Sequence, residues 1–243
     1  MQSVILAGGK GTRLASRLNG RPKPLIAIGG TPLLERQLRQ LAAGGVDEAV
    51  VLVNHEAGQI EAFLAERDWG PLRVSLIDDG APRGSAGAVL ACLDRLEDSF
   101  LVVYGDTLFD IDIRAFDAAH LRAGAAASLF LHPNDHPADS DLVEVDEAGR
   151  IVAFHGYPHP PDACLPNLVN AALYRLERRA LEPYRGLAAP LDFAKELFPR
   201  MLADGVRLAG YRSFEYIKDI GTPARLDKAA AQLRSGAPAR SRL

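Results

Sequence analysis

Apolar runs alternate with amphipathic stretches over the first hundred residues of the chain. Short runs rich in valine, isoleucine and leucine predict strands at 3–7, 48–53, 74–77 and 100–104. Helical periodicity predicts helices at 33–43, 58–66 and 86–96. Such alternation is typical of a mostly parallel sheet covered on both faces by helices. The chain is therefore predicted to be α/β, a Rossmann-like three-layer sandwich with a mostly parallel mixed sheet and ligands at the carboxyl ends of its strands.

The pattern changes after residue 106. Short apolar runs joined by turns predict strands at 128–131, 142–146, 151–154, 170–174, 207–210 and 215–219, with a hairpin turn at 147–150. Helices are predicted at 192–202 and 223–233. A chain of 243 residues is expected to form one large domain, here 1–233, and residues 234–243 are predicted to be a disordered tail.

Composition narrows the classes of function. The chain is 48% hydrophobic with a net charge of −3, which predicts a globular protein without a charge bias toward nucleic acid or anionic membranes. Cys92 and Cys164 have neither metal-ligand nor disulfide spacing, so a reducing cytoplasm is expected. The strand-like run begins close to Met1, and neither a signal peptide nor a membrane span is expected.

A glycine-rich turn with the sequence GGKGTRL follows the first predicted strand. Because glycine has no Cβ atom, Gly8, Gly9 and Gly11 can take positive φ and let backbone N–H groups approach an anion. The helix predicted to follow adds free N–H groups and its dipole. Arg13 and Lys23 can add full positive charges. The sequence therefore predicts a phosphate-binding loop.

Two better-known phosphate loops do not fit this turn. In a Walker A loop the lysine follows the last glycine, whereas Lys10 precedes Gly11. In a dinucleotide fingerprint a third glycine would stand at Leu14. An ordinary turn that needs glycine for its geometry alone is the remaining alternative. Such a turn would not need Arg13 or the lysine between two prolines that follows.

Two acids stand at the ends of strand-like runs far apart in the chain. Asp106 follows a buried run and Gly105, and Asp219 ends the run at 215–219. A single acid at a strand end is commonly a helix cap or a turn former. Two carboxylates in one pocket can hold Mg²⁺, which keeps several waters and is completed by phosphate oxygens. The two acids together therefore predict a magnesium site.

The paired motifs GGxGTRL and PKPL resemble the signature of the sugar-1-phosphate nucleotidyltransferases, also called nucleotide-sugar pyrophosphorylases. The resemblance implies that family's fold and the transfer of a nucleotidyl group from an NTP to a sugar 1-phosphate, with release of pyrophosphate. It implies that Asp106 and Asp219 hold the catalytic Mg²⁺ and that Arg13 and Lys23 act on the phosphates. The implied nucleotide-binding residues are Leu6, Ala7, Gly8, Gly9, Gly11, Thr12, Arg13, Gly84, Ser85 and Gly87.

The resemblance also implies a set of residues that bind the sugar phosphate, namely Lys23, Asn170, Asp192 and Lys195. Asn170 matches the family's sugar-binding asparagine, although Ala172 stands where glycine is usual. Asp192 can instead cap its helix, and Ser85 can cap the helix predicted near it. Gly156 stands where many relatives have a sugar-binding glutamate, so the sugar is expected to be recognised differently from glucose.

The segment 132–146 and the stretches DFAKELFP and EYIKDIGTP most resemble the D-glycero-D-manno-heptose 1-phosphate guanylyltransferase branch. GTP and a heptose or mannose-type 1-phosphate are therefore favoured as substrates, with uridylyl, thymidylyl or cytidylyl transfer to a hexose 1-phosphate as the alternative. Some relatives in that branch are fused to a sugar-phosphate phosphatase. A fusion or functional pairing with such a phosphatase, and a homo-oligomer, are compatible with the resemblance.

Two other functional classes are alternatives to nucleotidyl transfer. A metal-dependent glycosyltransferase could use Asp110 and Asp112 as its Asp-x-Asp motif, but it would not need the triphosphate loop. A non-catalytic relative that only binds nucleotides is the second rival. The chain keeps the arginine, the lysine and both acids, which argues against that rival.

Overall fold

The computed structural model describes residues 1–134, 137, 140–160 and 163–234. The tail predicted at 234–243 is wrong at Arg234, which is the last residue of a helix, and its remaining residues lie outside the described ones. Residue contacts divide the chain into two compact units. Unit 1 comprises Met1–Pro82, Val102–Ile113 and the described part of Glu215–Leu243, and unit 2 comprises Arg83–Leu101 and Arg114–Phe214. No helix in the described residues is long and apolar enough to cross a membrane.

Strands and helices follow one another closely along the described chain. The strands are β1 (Gln2–Leu6), β2 (Ala27–Ile28), β3 (Thr31–Pro32), β4 (Glu48–Val53), β5 (Arg73–Asp78), β6 (Ser99–Tyr104), β7 (Thr107–Asp110), β8 (Ala127–His132), β9 (Leu142–Val145), β10 (Ile151–His155), β11 (Val169–Glu177), β12 (Leu208–Arg212) and β13 (Tyr216–Asp219). The α-helices are α1 (Ala15–Leu18), α2 (Leu33–Ala43), α3 (Ala57–Ala65), α4 (Gly84–Ala91), α5 (Ile113–Ala123), α6 (Arg178–Leu181), α7 (Phe198–Ala203) and α8 (Pro223–Arg234).

The predicted elements are present, and most lie close to their predicted bounds. The helix predicted at 86–96 is wrong as a single helix, because α4 ends at Ala91 and Cys92 takes a φ of −111° before a 3-10 turn. The helix predicted at 192–202 is a π-helical turn, Phe193–Leu197, continued by α7. Strand β7 and helix α5 were not predicted.

In unit 1, strands β1, β4 and β5 pair in parallel, with Leu6 opposite Leu52. Helix α2 connects β3 to β4, and α3 connects β4 to β5. In unit 2, β8 pairs in parallel with β12 and antiparallel with β11, and β9 pairs antiparallel with β10. The fold is the predicted Rossmann-like α/β class, with a mixed, mostly parallel sheet flanked by helices.

A separate two-stranded ribbon in unit 1 joins residues far apart in sequence. Strand β13 runs antiparallel to β7, with Asp219 opposite Thr107. The amide of Ile220 donates to the carbonyl of Asp106 at 2.9 Å. Beneath the ribbon, the fully buried side chain of Ile220 packs in a cluster with Leu14, Leu33 and residues of α8. The ribbon therefore fixes the backbone of both predicted metal ligands side by side.

The segment 114–214 leaves unit 1 after Ile113 and returns to it at Glu215. The amide of Asp112 donates to Glu215 Oε1 at 2.6 Å. The two ends of this long excursion are therefore held together by a direct hydrogen bond.

An aromatic cluster forms the core of unit 2 around α5. Phe116 packs on Phe130 and Tyr211, with ring centroids 5.8 and 5.3 Å away.

The predicted hairpin turn is confirmed, because Asp146 N donates to the Arg150 carbonyl at 2.8 Å and β9 pairs with β10.

Candidate active site

The glycine-rich loop leaves β1 with its base anchored to neighbouring backbone. Ala7 N donates to the Leu52 carbonyl at 2.8 Å, and the Leu6 carbonyl accepts from Gly105 N at 2.9 Å. A Cβ atom at Gly105 would lie 2.8 Å from the Leu6 oxygen. Glycine therefore allows the close approach that brings Asp106 next to the start of the loop.

The three loop glycines differ in their φ angles and in the atoms that surround them. Only Gly11 takes positive φ, at 63°, so the prediction is wrong for Gly8 and Gly9. A Cβ atom at Gly8 would lie 2.6 Å from Asn54 Nδ2, so a larger residue there would displace the Asn54 side chain. Gly9 would meet nothing within 4 Å. Asn54 was not among the predicted residues, since only the folded chain places it against the loop.

The helix predicted after the loop is short. Gly11 precedes a 3-10 turn at Thr12–Leu14, and α1 then runs for four residues. The dipole of such short turns is small, because it sums over few aligned peptide units. Most of the positive potential at this loop must therefore come from side chains.

Lys23 is the most buried cation near the loop. Its Nζ lies 2.6 Å from Asp106 Oδ2, and its side chain is only 10% exposed. Pro22 has a φ of −57° and ψ of 143° just before the 3-10 turn Lys23–Leu25, which fixes the direction of the chain there. A Cβ atom at Gly11 would lie 3.1 Å from Lys23 Cβ, so the loop glycine makes room for the lysine stem.

The second acid has cationic neighbours of its own. Asp219 accepts from the Gly221 amide and pairs with the guanidinium of Arg225 in the first turn of α8. An added Cβ at Gly221 would lie 3.2 Å from Arg13 Nη2 and 2.6 Å from Asp219 Oδ1. Unit 1 therefore brings together the four predicted residues Arg13, Lys23, Asp106 and Asp219. Arg225 was not predicted, because its spacing to Asp219 has meaning only once β13 and α8 are folded.

Gln37 on α2 holds the turn that carries Asp106. Its Nε2 donates to the Tyr104 carbonyl at 2.9 Å and to the Thr107 carbonyl at 2.7 Å, and the residue is 2% exposed. These carbonyls bracket Gly105 and Asp106. The available signal in the sequence was a glutamine on the apolar face of a predicted helix, beside Leu34, Leu38 and Leu41.

The donor set at the two acids fits a hard cation. Asp106 and Asp219 offer carboxylate oxygens, which suit Mg²⁺. Within the described ranges, no group of three or more His, Cys, Asp or Glu side chains could hold a metal. A metal on two carboxylates would therefore take its remaining ligands from water and substrate phosphate, which Mg²⁺ does readily.

In unit 2, the predicted glycines pack against a neighbouring segment. Gly84 has a φ of 76°, and a Cβ atom there would lie 2.4 Å from the Leu191 oxygen. The amides of Ala86 and Gly87 donate to that same carbonyl at 2.9 and 3.1 Å. Both glycines therefore lie in close backbone contact with the segment before Asp192.

Ser85 and Asp192 form a linked pair. Ser85 Oγ donates to Asp192 Oδ2 at 2.7 Å and accepts from Phe193 N at 2.9 Å. Asp192 Oδ1 accepts from the amides of Ala194 and Lys195 at 2.9 and 3.1 Å, which caps the π-helical turn. Asp192 therefore has the capping role left open by the sequence, whereas Ser85 makes no side-chain cap for α4. The Lys195 side chain is exposed.

Asn170 offers an unused donor. Its Oδ1 accepts from Ala172 N at 3.1 Å, while its Nδ2 is buried without a partner among the described residues. Ala172 takes a φ of 57°, and the pairing of β11 with β8 is irregular between Asn170 and Tyr174. The alanine therefore adopts the left-handed conformation that glycine adopts without strain.

Comparison with known proteins identifies relatives along almost the whole chain. Residues 2–236 match the Nucleotidyl transferase family. A mannose-1-phosphate guanylyltransferase of Mycobacterium tuberculosis is 28% identical over 97% of this chain and 65% of its own length. A UTP–glucose-1-phosphate uridylyltransferase of Synechocystis sp. is 29% identical over 91% of this chain and 60% of its own length. The chain thus spans less than two thirds of these curated relatives.

The fold has a close match among solved structures. The crystal structure of HddC from Yersinia pseudotuberculosis superposes with a TM-score of 0.81 at 24% identity, covering 96% of this chain and 99% of that chain. This match confirms the fold predicted from the sequence. Since the family model covers nearly every residue, the chain belongs to the nucleotidyl transferase family.

Proposed function

We propose that this chain transfers a nucleotidyl group from an NTP to a sugar 1-phosphate, releasing pyrophosphate and forming an NDP-sugar. The observation that carries the proposal is the cluster in unit 1, where Lys23 pairs with Asp106 while Arg13 and Arg225 lie beside Asp219. Cations and paired acids at one strand end suit a reaction between two phosphate anions. Membership of the nucleotidyl transferase family supports the same reaction.

The chemistry makes few demands for proton transfer. A phosphate monoester has a second pKa of about 6, so the sugar 1-phosphate is largely a dianion at neutral pH and needs no general base. Its oxygen forms a bond to the α-phosphorus of the NTP, and the bond from that phosphorus to the β-phosphate oxygen breaks. The protein must hold two repelling anions in line and neutralise the leaving pyrophosphate.

The chain's own groups divide this task. The amides of the glycine-rich loop and the Arg13 guanidinium bind the triphosphate. Lys23 neutralises the α-phosphate or the sugar phosphate as a compact point charge. Asp106 and Asp219 would hold Mg²⁺, which would neutralise charge on phosphate oxygens. Gln37 and Arg225 act on the two acids, one through the backbone and one through an ion pair.

The residues predicted for the base, the ribose and the sugar lie in unit 2. Gly84 and Gly87 leave room for a flat ring to lie on the backbone, as in the family that the sequence resembles. The free Nδ2 donor of Asn170 suits a sugar hydroxyl, because a buried donor without a partner is costly. Lys195 is the exposed cation for the sugar phosphate. Asp192 acts by positioning Ser85 and the π-helical turn.

GTP with a mannose or heptose-type 1-phosphate is the favoured substrate pair. The similarity to a mannose-1-phosphate guanylyltransferase supports GTP, and Gly156 in place of a glutamate supports a sugar other than glucose. Uridylyl transfer to a hexose 1-phosphate remains the second candidate, because a uridylyltransferase is about as similar in sequence.

A matrix of the common NTPs against hexose and heptose 1-phosphates, scored by pyrophosphate release with Mg²⁺ present, tests the proposal. We expect the highest kcat/KM with GTP and a mannose or heptose 1-phosphate. Highest activity with UTP and glucose 1-phosphate would support the second candidate. Absence of pyrophosphate from every pair, with sugar transfer from a preformed NDP-sugar, would overturn nucleotidyl transfer.

A further inference from the structure

We propose that unit 2 carries a second anion site, which binds a small molecule with two or more phosphate charges. A pocket of about 310 Å³ lies at the end of α5, the first half of β8, the middle of β12 and the β9–β10 turn. We call it the Arg207 pocket. Its charged and polar lining residues are His120, Arg122, Ser128, Arg150, Arg207 and Tyr211. No described acidic side chain lines it.

The positive charge of the Arg207 pocket is largely uncompensated. Arg122 and Arg207 are exposed, and their guanidinium groups have no ion-pair or hydrogen-bond partner in the described part of the chain. Arg150 shares its charge with Asp146, whose Oδ2 lies 3.1 Å from Arg150 Nε. A cation in the last turn of α5 also suits the helix dipole, which accounts for Arg122 alone. It does not account for arginines from three separate elements that meet at one pocket.

The walls of the pocket are preformed. Gly210 N donates to the Gly149 carbonyl at 2.8 Å, which ties β12 to the hairpin turn. A Cβ atom at Gly210 would lie 2.6 Å from Leu131 Cδ1 and 2.7 Å from Val145 Cγ1. Glycine therefore lets β12 approach its neighbours closely. A binding site built from tightly packed backbone loses little entropy when its ligand binds.

The floor of the pocket is polar and has its own hydrogen bonds. His120 is 2% exposed, with Nδ1 2.9 Å from Ser128 Oγ and Nε2 3.1 Å from Glu177 Oε1. An adjoining pocket of about 330 Å³ shares His120 and Arg207 and adds Arg179. The two cavities form a groove with four arginines and Glu177 as the one acid among its described lining residues.

The Arg207 pocket differs in position from the sugar-binding residues of unit 2. Ala209 pairs with Ser128, so the pocket lies along the first half of β8. Asn170 pairs with Leu131, toward the carboxyl end of the same strand. In α/β sheets, substrates bind at the carboxyl ends of the strands. The pocket is therefore a separate site, and the inference does not rest on the proposed reaction.

Guanidinium groups favour phosphate because they donate two parallel hydrogen bonds to its oxygens. Arginines that converge from different directions favour a ligand with more than one charged oxygen cluster. Pyrophosphate and the diphosphate of a nucleotide sugar share this chemistry.

Calorimetric titration of the full chain with inorganic pyrophosphate, in EDTA, tests the site without turnover. We expect a site that the Arg122→Ala/Arg207→Ala variant weakens about tenfold or more and that Lys23→Met leaves intact. The control variant Arg95→Ala/Arg114→Ala removes the same charge from exposed positions of unit 2 outside the pocket. Equal binding by wild type and Arg122→Ala/Arg207→Ala would overturn the proposal, as would equal losses in the control.

A second titration with an NDP-sugar distinguishes the source of the phosphate. Tighter binding than pyrophosphate, lost in the Arg122→Ala/Arg207→Ala variant, would assign the pocket to a nucleotide sugar. Weaker binding, lost in the same variant, would assign it to a free phosphate compound. Because both titrations measure binding alone, their failure is distinguishable from a failure of the proposed reaction.

Discussion

The ammonium group of Lys23 lies 2.6 Å from the Asp106 carboxylate, with only 10% of the lysine side chain exposed. Substitution Lys23→Met is therefore expected to lower kcat for pyrophosphate release by about 100-fold or more, because it removes a point charge from a partly dehydrated phosphate site. Lys23→Arg is not expected to restore it, because the planar guanidinium has a different shape and reach. The control is Lys228→Met on α8, an exposed lysine of unit 1, which should retain activity. Full activity of Lys23→Met would contradict the phosphate role.

Chelation of divalent metal is expected to abolish turnover, and added Mg²⁺ to restore it. Asp219→Asn removes one of the two carboxylates and should raise the Mg²⁺ concentration for half-maximal rate by about tenfold or more. The matched control is Asp227→Asn, which removes an exposed aspartate that pairs with Arg17 at 2.7 Å. An unchanged Mg²⁺ dependence in Asp219→Asn would argue against the two-carboxylate site.

Gln37 is expected to act as a positioning residue for Asp106. Gln37→Met leaves the carbonyls of Tyr104 and Thr107 without their buried donor, at a cost of about 1–3 kcal/mol in the free energy of unfolding. It should also raise the Mg²⁺ concentration needed for half-maximal rate.

The control for this prediction is Gln40→Met, one turn further along α2. Gln40 Nε2 donates at 2.7 Å to the side chain of Asp110, which lies at the far end of β7 from Asp106. It should change stability without changing the Mg²⁺ dependence. If both variants need the same Mg²⁺ concentration for half-maximal rate, Gln37 has only a structural role.

Ala172→Gly is expected to stabilise the protein. The φ of 57° at Ala172 costs an L-residue about 1 kcal/mol relative to glycine, so the substitution should raise the free energy of unfolding by up to about that amount. Ala171→Gly, at the adjacent buried position, should instead destabilise the strand. Urea unfolding of the two variants measures both effects, and a loss of stability in Ala172→Gly would show that the turn is not strained.

Glu177 is expected to make stability depend on acid pH. Burial raises the pKa of Glu177, but hydrogen bonds from Ser99 and His120, with the charges of His120 and Arg175, outweigh it and hold the pKa below 4.5. Because the folded-state pKa is lowered, the carboxylate contributes stability above pH 4.5, and that contribution is lost as the pH falls through the folded value.

The measurement compares urea unfolding of wild type and Glu177→Gln from neutral to acid pH. The stability advantage of wild type should shrink as the pH falls. Glu147→Gln, in the exposed hairpin turn, should show no such change. A constant difference between wild type and Glu177→Gln at all pH values would exclude the linkage.

Local patterns in the sequence predict the elements that have many large apolar side chains at a regular period, even where one buried position is polar, as Gln37 is on α2. Leu34, Leu38 and Leu41 have no exposed surface, and α2 begins and ends at its predicted residues. Helix α5 was not predicted because its buried face carries only two large apolar side chains, Ile113 and Phe116, and continues with His120, whose burial depends on Ser128 and Glu177. Its apolar period therefore looks interrupted when the sequence is taken alone.

The residues of the candidate site also fall into those that local sequence patterns predict and those that only tertiary contacts reveal. Arg13, Lys23, Asp106 and Asp219 stand in motifs with strong spacing, and the structure brings them together in unit 1. Gln37 and Arg225 lie in ordinary helices, and their meaning arises only from tertiary contacts. The capping of the π-helical turn by Asp192 is local, and the sequence identified it as an alternative.

The hydrogen bond from the Asp112 amide to the Glu215 carboxylate closes the long excursion at its base, so the chain leaves unit 1 and returns to it at one place. Recombination between relatives at Ile113 and Glu215 would replace residues 114–214 while leaving Lys23 and both acids on the parent framework. Such an exchange would transfer Asn170, the π-helical turn and the Arg207 pocket together. Because Ser85, Ala86 and Gly87 hydrogen-bond to Leu191 and Asp192, such an exchange would keep these contacts only if residues 83–101 came from the same relative.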